Sequence, residues 1–556
     1  LSGLRREGIP LFSWETRTPL NEFDVVGFTL QYEMSYTNVL NMLDLAGLPL
    51  LSADRAEDAP IVIGGGPCAY NAEPVADFFD LFNIGEGEEM LPEIVHLYTA
   101  MRAEGRYTKE AFLHEAAASI PGVYVPSLYD VTYNDGGTIR AYTPRYPDVP
   151  VRVVKRIVKD MDRAYFPEKV VMPYIETVQD RIMLEVFRGC IRGCRFCQAG
   201  MIYRPVREKS PEVLDNQARC LFNATGYDEI SLTSLAIDDY SQLDLLTDKL
   251  LSWTNDQKVS ISLPSLRADS FTKELMDKIV SVRASSITFA PEAGTQRLRD
   301  VINKNVTEED ILRAAGVAFE GGKSTIKLYF MQGLPTETDE DLAGIPRLAS
   351  SVISKFYATP NRPKGKPVGV TISVSCFIPK PFTPFQWEGQ DTLEELERKQ
   401  KLVGACINDR KIRYQHHDAK TCRVEAVLAR VEEVDALDQD DVVAPHRRAV
   451  RIAQHARPGS VRTLQTEKGL AASDGEIGVL PLSGRLGEAE HRDADLGAIA
   501  DHALSEIALA GVRRMAVRAD GLGMVLVGRR EVRERAVRRR DRDEVVGLLA
   551  RETKGL

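Results

Sequence analysis

Three of the eight cysteines fall within eight residues, in the stretch Arg188-Gly189-Cys190-Ile191-Arg192-Gly193-Cys194-Arg195-Phe196-Cys197-Gln198-Ala199-Gly200. The spacing is C-x3-C-x2-C. Three thiolates on one short loop bind three irons of a [4Fe–4S] cubane and leave the fourth iron without a protein ligand. An electron-transfer cluster of this type takes four cysteines. Three ligands and one open position instead follow the logic of a catalytic metal. Gly189 and Gly193 let the loop wrap closely. Arg188, Arg192 and Arg195 are placed to offset cluster charge or favour thiolates. A zinc site is the competing reading, but zinc prefers four ligands. The best local fourth is Cys220, a lone residue expected to pack in a helix.

The elements that position this loop read as α/β units. Asp24–Leu30 is a buried strand, followed by a helical pattern over Tyr36–Leu45; Pro60–Gly66 and Leu81–Gly87 are strands running into glycine turns. Residues 106–179 form a mixed connector. From 180 to 390 the alternation resumes. Arg181–Arg188 is a strand ending at the cysteine loop, and five more follow: Glu229–Leu235, Val259–Leu263, Ser286–Ala290, Thr325–Met331 and Val370–Phe377. Thr307-Glu308-Glu309-Asp310 and Thr338-Asp339-Glu340-Asp341 read as helix starts. Strands alternating with helices imply parallel sheets. Six such strands suggest a (β/α) barrel, whose chemistry sits at the C-terminal strand ends.

The cysteine stretch, with an aromatic residue before its third cysteine, resembles the signature of the radical S-adenosylmethionine (SAM) superfamily. The resemblance implies that SAM chelates the open iron through its amino and carboxylate groups. One electron, from an external donor such as flavodoxin or ferredoxin, then cleaves the sulfonium to methionine and a 5′-deoxyadenosyl radical. Phe196, Ser231, Thr233, Ser262, Glu292 and Gly333 are the residues expected at the cofactor. Many relatives grip the methionine amino group with Gly-Gly-Glu after the second strand. This chain has Ile230-Ser231-Leu232-Thr233-Ser234 there, which leaves carbonyls and the hydroxyls of Ser231 and Thr233 for the task. Glu292, in Phe289-Ala290-Pro291-Glu292, is expected at the ribose or amino group, with a solvent-exposed loop acid as the plainer reading. Gly333-Leu334-Pro335 resembles the turn that approaches adenine.

A closer similarity is carried by Leu30–Asn38, Ile63–Pro67, Val301–Glu308 and Cys376–Phe385. It is to uncharacterised B12-binding-domain-type radical SAM proteins, and runs from Leu1 to about Lys420. It implies a Rossmann-like, cobalamin-binding-like domain over 1–105, the connector, and a partial (β/α)6 radical SAM barrel over 180–390. A helical extension over 391–420 follows, then a tail over 421–556 of uncertain fold. Cobalamin is therefore a candidate cofactor beside the [4Fe–4S] cluster and SAM. No Asp-x-His-x-x-Gly motif is present, and His96 and His114 are the only histidines before residue 400. Gly64-Gly65-Gly66 either accepts a nucleotide tail or is a plain structural turn. Methylation, rearrangement and sulfur insertion all fit the group. Ahead of the cysteine loop only Cys68 occurs, so no second cysteine triad is present there, which counts against methylthiotransfer by a two-cluster route. A cluster-bearing regulatory protein without radical turnover is the alternative function.

Length and charge set the frame. A chain of 556 residues exceeds one core. A net charge of −10 and pI near 5.6 argue against a broad nucleic-acid footprint. RNA is left with only a local patch such as Arg538–Arg542. No run of 18 apolar residues marks a membrane span, and with no signal peptide the expected location is the cytoplasm. Leu1 in place of Met points to a fragment. Gln415-His416-His417-Asp418 reads as a capping or surface segment, because adjacent residues point apart. From Gln415 to Leu556 no aromatic residue occurs in 142 positions. A genuine domain, a disordered tail and a shifted reading frame each fit that composition.

Overall fold

The computed structural model describes residues 2–14, 16–134, 139–170, 172, 180–264, 266–273, 287–430 and 524–528. Parallel strands covered on both faces read as continuous apolar runs, and β1 (Phe23–Thr29) is buried at six consecutive residues. It is followed by α1 (Tyr36–Leu45), β2 (Ile61–Gly65), β3 (Leu81–Asn83), α2 (Gly87–Ala103), α3 (Lys109–Ser119) and β4 (Val123–Tyr124). β1, β2 and β3 are parallel neighbours; β4 pairs antiparallel with β3. This sheet therefore reaches past residue 105, because Val123 and Tyr124 add a strand to its edge. Phe28, Phe79, Phe82 and Tyr124 stack through its core.

The cysteine loop follows β5 (Ile182–Glu185). Then come α4 (Pro211–Thr225), β6 (Glu229–Thr233), α5 (Leu243–Gln257), β7 (Ser260–Ser262), β8 (Ile287–Glu292), α6 (Glu308–Glu320), β9 (Thr325–Gln332), α7 (Asp339–Ala358), β10 (Gly369–Cys376), α8 (Leu393–Ala405), β11 (Ile412–His416) and α9 (Ala419–Ala429). All six expected strands are present. They lie in two parallel sheets, β7-β6-β5 and β8-β9-β10-β11. One buried core joins residues of both sheets, from Ile182 and Ile230 to Val370 and Ile412. The fold class is α/β with parallel sheets, as the alternation implies.

Two local expectations change. The stretch 391–420, read as a helical extension, contains the strand β11, whose five residues pair in parallel with β10. Ile412 and Tyr414 pack on the shared core while Arg413 faces outward; an alternation this short is easily read as helix. In the tail, β12 (Met524–Gly528) pairs antiparallel with β1. Arg538–Arg542 and the rest of the tail past Arg430 lie outside the described residues. Both expected helix starts are observed. The Thr307 and Asp310 amides each find the other residue's side chain, at 3.0 and 3.1 Å, closing a capping box. Thr338 and Asp341 do the same for α7. Among the described residues no helix is long and apolar enough to cross a membrane.

Candidate functional site

The loop after β5 is held from several sides. Gly189 (φ 93°) crosses beneath Pro205, whose carbonyl oxygen lies 2.7 Å from where a Cβ would be. Gly193 is also left-handed, and its carbonyl accepts the Asn303 amide at 2.9 Å. The Arg195 N–H donates to Ile302 O at 3.0 Å, Phe385 N–H to Arg195 O at 3.3 Å, and Arg204 Nε to Cys190 O at 3.3 Å. Within the loop, Arg192 N–H reaches the Cys190 sulfur at 3.5 Å and Gly200 N–H the Cys197 sulfur at 3.4 Å. Such amide contacts stabilise thiolates.

The three thiols form one electrostatic group. Burial pushes Cys194 and Cys197 above the ordinary thiol range, and each is raised further by its neighbouring cysteines. Lys304 and Arg267 oppose this at Cys194. Among the described residues no three His, Cys, Asp or Glu side chains converge on one point, as a single metal ion needs. Cys220 sits apart, its thiol donating to Glu168 O at 3.3 Å.

The arginines do not serve the role expected of them. Arg188 is neutralised by Glu86, Glu88 and Glu185. Arg192 binds Asp239 and Asp269. Arg195 donates to the carbonyls of Asp300 and Val301. All three fix the loop to its surroundings; the cations that act on Cys194 are Lys304 and Arg267, themselves paired with Glu292 and Asp269.

The expected cofactor residues separate into groups. Phe196 packs on a small core of Ala293, Leu298, Ile302, Met331, Leu334, Phe377 and Phe385, which anchors the loop over the ends of β8, β9 and β10. Glu292 ends β8 in the left-handed region (φ 69°) and accepts Lys304 Nζ at 3.2 Å; both charges act on Cys194. Ser231 and Ser262 stand side by side in register, with Ser231 buried. The Thr233 hydroxyl donates to Leu184 O at 2.9 Å, so its proton serves β5. Gly333 (φ 78°) donates its N–H to Glu337 at 2.8 Å and adjoins Asp391, within a buried acid–lysine network completed by Lys399. The structure thus brings Phe196 and Glu292 to the cysteine loop, and gives Thr233 and the Gly333 amide partners of their own.

Sequence reasoning missed Lys304, Arg267, Asn303 and the acids past β6. Among the described residues the Ser234 hydroxyl and one Asp238 oxygen are buried there without partners. Burial pushes Asp238 up to about 6. Asp238 and Asp239 bracket Arg192 electrostatically. The polar run Ile237-Asp238-Asp239-Tyr240 beside a strand end was the available signal. Gly64 and Gly66 are used structurally: a Cβ on Gly64 would meet the Phe82 ring at 2.6 Å, and one on Gly66 the Leu30 backbone at 3.0 Å. Gly65 has only the Asn83 Cβ, 3.8 Å from where its own Cβ would be.

Residues 2–126 match the profile of radical SAM proteins, N-terminal, and residues 184–349 that of the radical SAM superfamily. The chain belongs to the radical SAM superfamily. It is 29% identical over 438 residues to an uncharacterized protein of Methanocaldococcus jannaschii, across 78% of this chain and 83% of that one. A tRNA-2-methylthio-N(6)-dimethylallyladenosine synthase of Petrotoga mobilis is 22% identical over 205 residues, 34% of this chain and 46% of that one. Among solved structures, the cobalamin- and [4Fe-4S]-bound methyltransferase TsrM of Kitasatospora setae is similar with a TM-score of 0.47 and 12% identity, over 74% of this chain and 88% of that one. The cobalamin-dependent radical enzyme OxsB gives 0.45 and 14%, over 72% and 54%.

Proposed function

We propose that this chain is an enzyme that cleaves SAM reductively at a [4Fe–4S] cluster held by Cys190, Cys194 and Cys197. The observation that supports it most is the donor set itself: three thiols of one short loop, fixed at a strand's C-terminal end and acting on one another electrostatically, within the segment that matches the radical SAM superfamily. When bound, the cluster supplies the electron that breaks the sulfonium bond, and that chemistry belongs to the cofactors. The chain's own residues orient and shield. Phe196 and its apolar neighbours keep water from one side of the loop. Glu292, steadied by Lys304, presents a carboxylate oxygen where a cationic amino group or a ribose hydroxyl of SAM can donate to it. An external flavodoxin or ferredoxin delivers the electron. Methyl transfer, rearrangement and sulfur insertion are the outcomes this chemistry serves. No step is assigned to cobalamin.

Anaerobic reconstitution with iron and sulfide, then addition of SAM and dithionite, tests this reading. The expected product is 5′-deoxyadenosine. A cluster that forms and binds SAM but never yields it would mark a regulatory protein instead.

A further inference from the structure

Three chemistry-bearing side chains lie together outside the site described so far. Cys376 is the last residue of β10, and Cys422 lies in the first turn of α9. Both are buried, at 4% and 3% exposure, in one small cluster with Leu396 and Ala419. The two thiols adjoin, and the His417 ring faces the Cys422 sulfur from the turn between β11 and α9. Polar groups hold this arrangement. Gln332 Nε2 lies 3.7 Å from the Cys376 sulfur and Gln400 Nε2 3.9 Å. Gln400 also grips His417 O at 2.8 Å, and Gln390 grips Cys422 O at 3.2 Å. Among the described residues the Gln332 Oε1 is buried without a partner. Gln332 Nε2 also donates to Leu396 O at 3.0 Å, so these amides tie the surrounding backbone together while two of them lie against the Cys376 sulfur.

We propose that Cys376 and Cys422 are a peroxide-oxidisable dithiol, with His417 as the base that activates Cys422. His417 takes the Cys422 proton. The thiolate attacks one oxygen of hydrogen peroxide, the O–O bond breaks, and Cys422 becomes a sulfenic acid. The departing hydroxide takes the proton back from His417 and leaves as water. The Cys376 sulfur then attacks the Cys422 sulfur, the S–O bond breaks, and the second water leaves with the Cys376 proton. Two thiols and one peroxide give one disulfide and two waters. The neighbouring Cys376 and, after it, His417 hold Cys422 below the ordinary thiol range, which favours the first step. His417 is solvent-exposed, so the pair lies one side chain below the surface.

The bond would tie β10 to α9. α9 carries Glu425, which with Glu33 binds Lys380. From Lys380 the chain runs to Phe385, which bonds the cysteine loop. Oxidation would therefore stiffen the frame on which an oxygen-sensitive centre rests.

The test uses the full chain, purified anaerobically and treated with equimolar hydrogen peroxide. It is then denatured in a first alkylating reagent, reduced, and labelled with a second, before peptide mass mapping. Cys376 and Cys422 are expected to carry the second label together, while Cys406 keeps the first. The same result is expected in a chain bearing Cys190→Ala, Cys194→Ala and Cys197→Ala, which removes any contribution from iron. His417→Gln should slow the reaction roughly tenfold by lowering the thiolate fraction. First label on both residues after peroxide, or oxidation of either one without the other, would overturn the proposal.

Discussion

Lys304 holds Glu292 at 3.2 Å, and these two opposite charges act in opposite directions on the same thiol, Cys194. The pair joins the end of β8 to the cysteine loop. Replacing Glu292 with Gln keeps the shape and removes the charge. Cluster content after reconstitution should be unchanged, and the Kd for SAM should rise on the order of tenfold, about 1.4 kcal/mol. Calorimetric titration reads this directly. Unchanged affinity would reduce Glu292 to the solvent-exposed loop acid that its sequence context also allowed.

Cys194 is the most buried of the three loop cysteines. In Cys194→Ala only two thiols remain, too few for a stable cubane. The brown thiolate-to-iron absorbance and the bound iron should fall to background, while Cys220→Ala retains both. Wild-type iron content in the Cys194 variant would refute the ligand assignment.

Gly189 and Gly105 both have positive φ, 93° and 71°, but only Gly189 faces backbone. Left-handed backbone costs an alanine about 1–2 kcal/mol at either position. Gly189→Ala must also push Pro205 away, because its carbonyl lies 2.7 Å from the new Cβ. Thermal unfolding should therefore fall further for Gly189→Ala than for Gly105→Ala, and only the former should lose iron loading. Equal effects would show that the loop can yield.

The cysteine loop was legible because its chemistry is local: three thiols and two glycines within a dozen residues. The parallel strands were legible for the same reason, as apolar runs ending in turns. What surrounds the loop was not. Asn303, Lys304 and Phe385 lie over a hundred residues away in sequence and meet it only through the fold. The arginines were misjudged because their neutralising partners, Glu86, Glu88 and Asp239, come from other elements. Thr233 and Gly333 stood at the right strand ends, but neighbouring backbone and Glu337 had already taken their hydrogen bonds.

Asp238 gives a dependence on pH. Burial raises its folded pKa from 3.8 to about 6. The folded state then holds a proton that the unfolded chain has released, so stability is fully present below pH 3.8 and is lost as pH rises through 6. Asp238→Asn should stabilise the chain at pH 8 by on the order of 1–2 kcal/mol, and the gain should vanish toward pH 4. Unfolding midpoints across that range check it; a gap constant with pH would sink the account.

The cysteine loop is gripped by Asn303, Ile302, Arg204 and Phe385 through bonds that need no metal. A zinc finger folds around its ion and collapses without it. The cysteine loop's hydrogen bonds lead to a different expectation, that the fold outlasts the removal of iron and sulfur. A chelator should bleach the protein without melting it, leaving a vacant scaffold ready to be refilled.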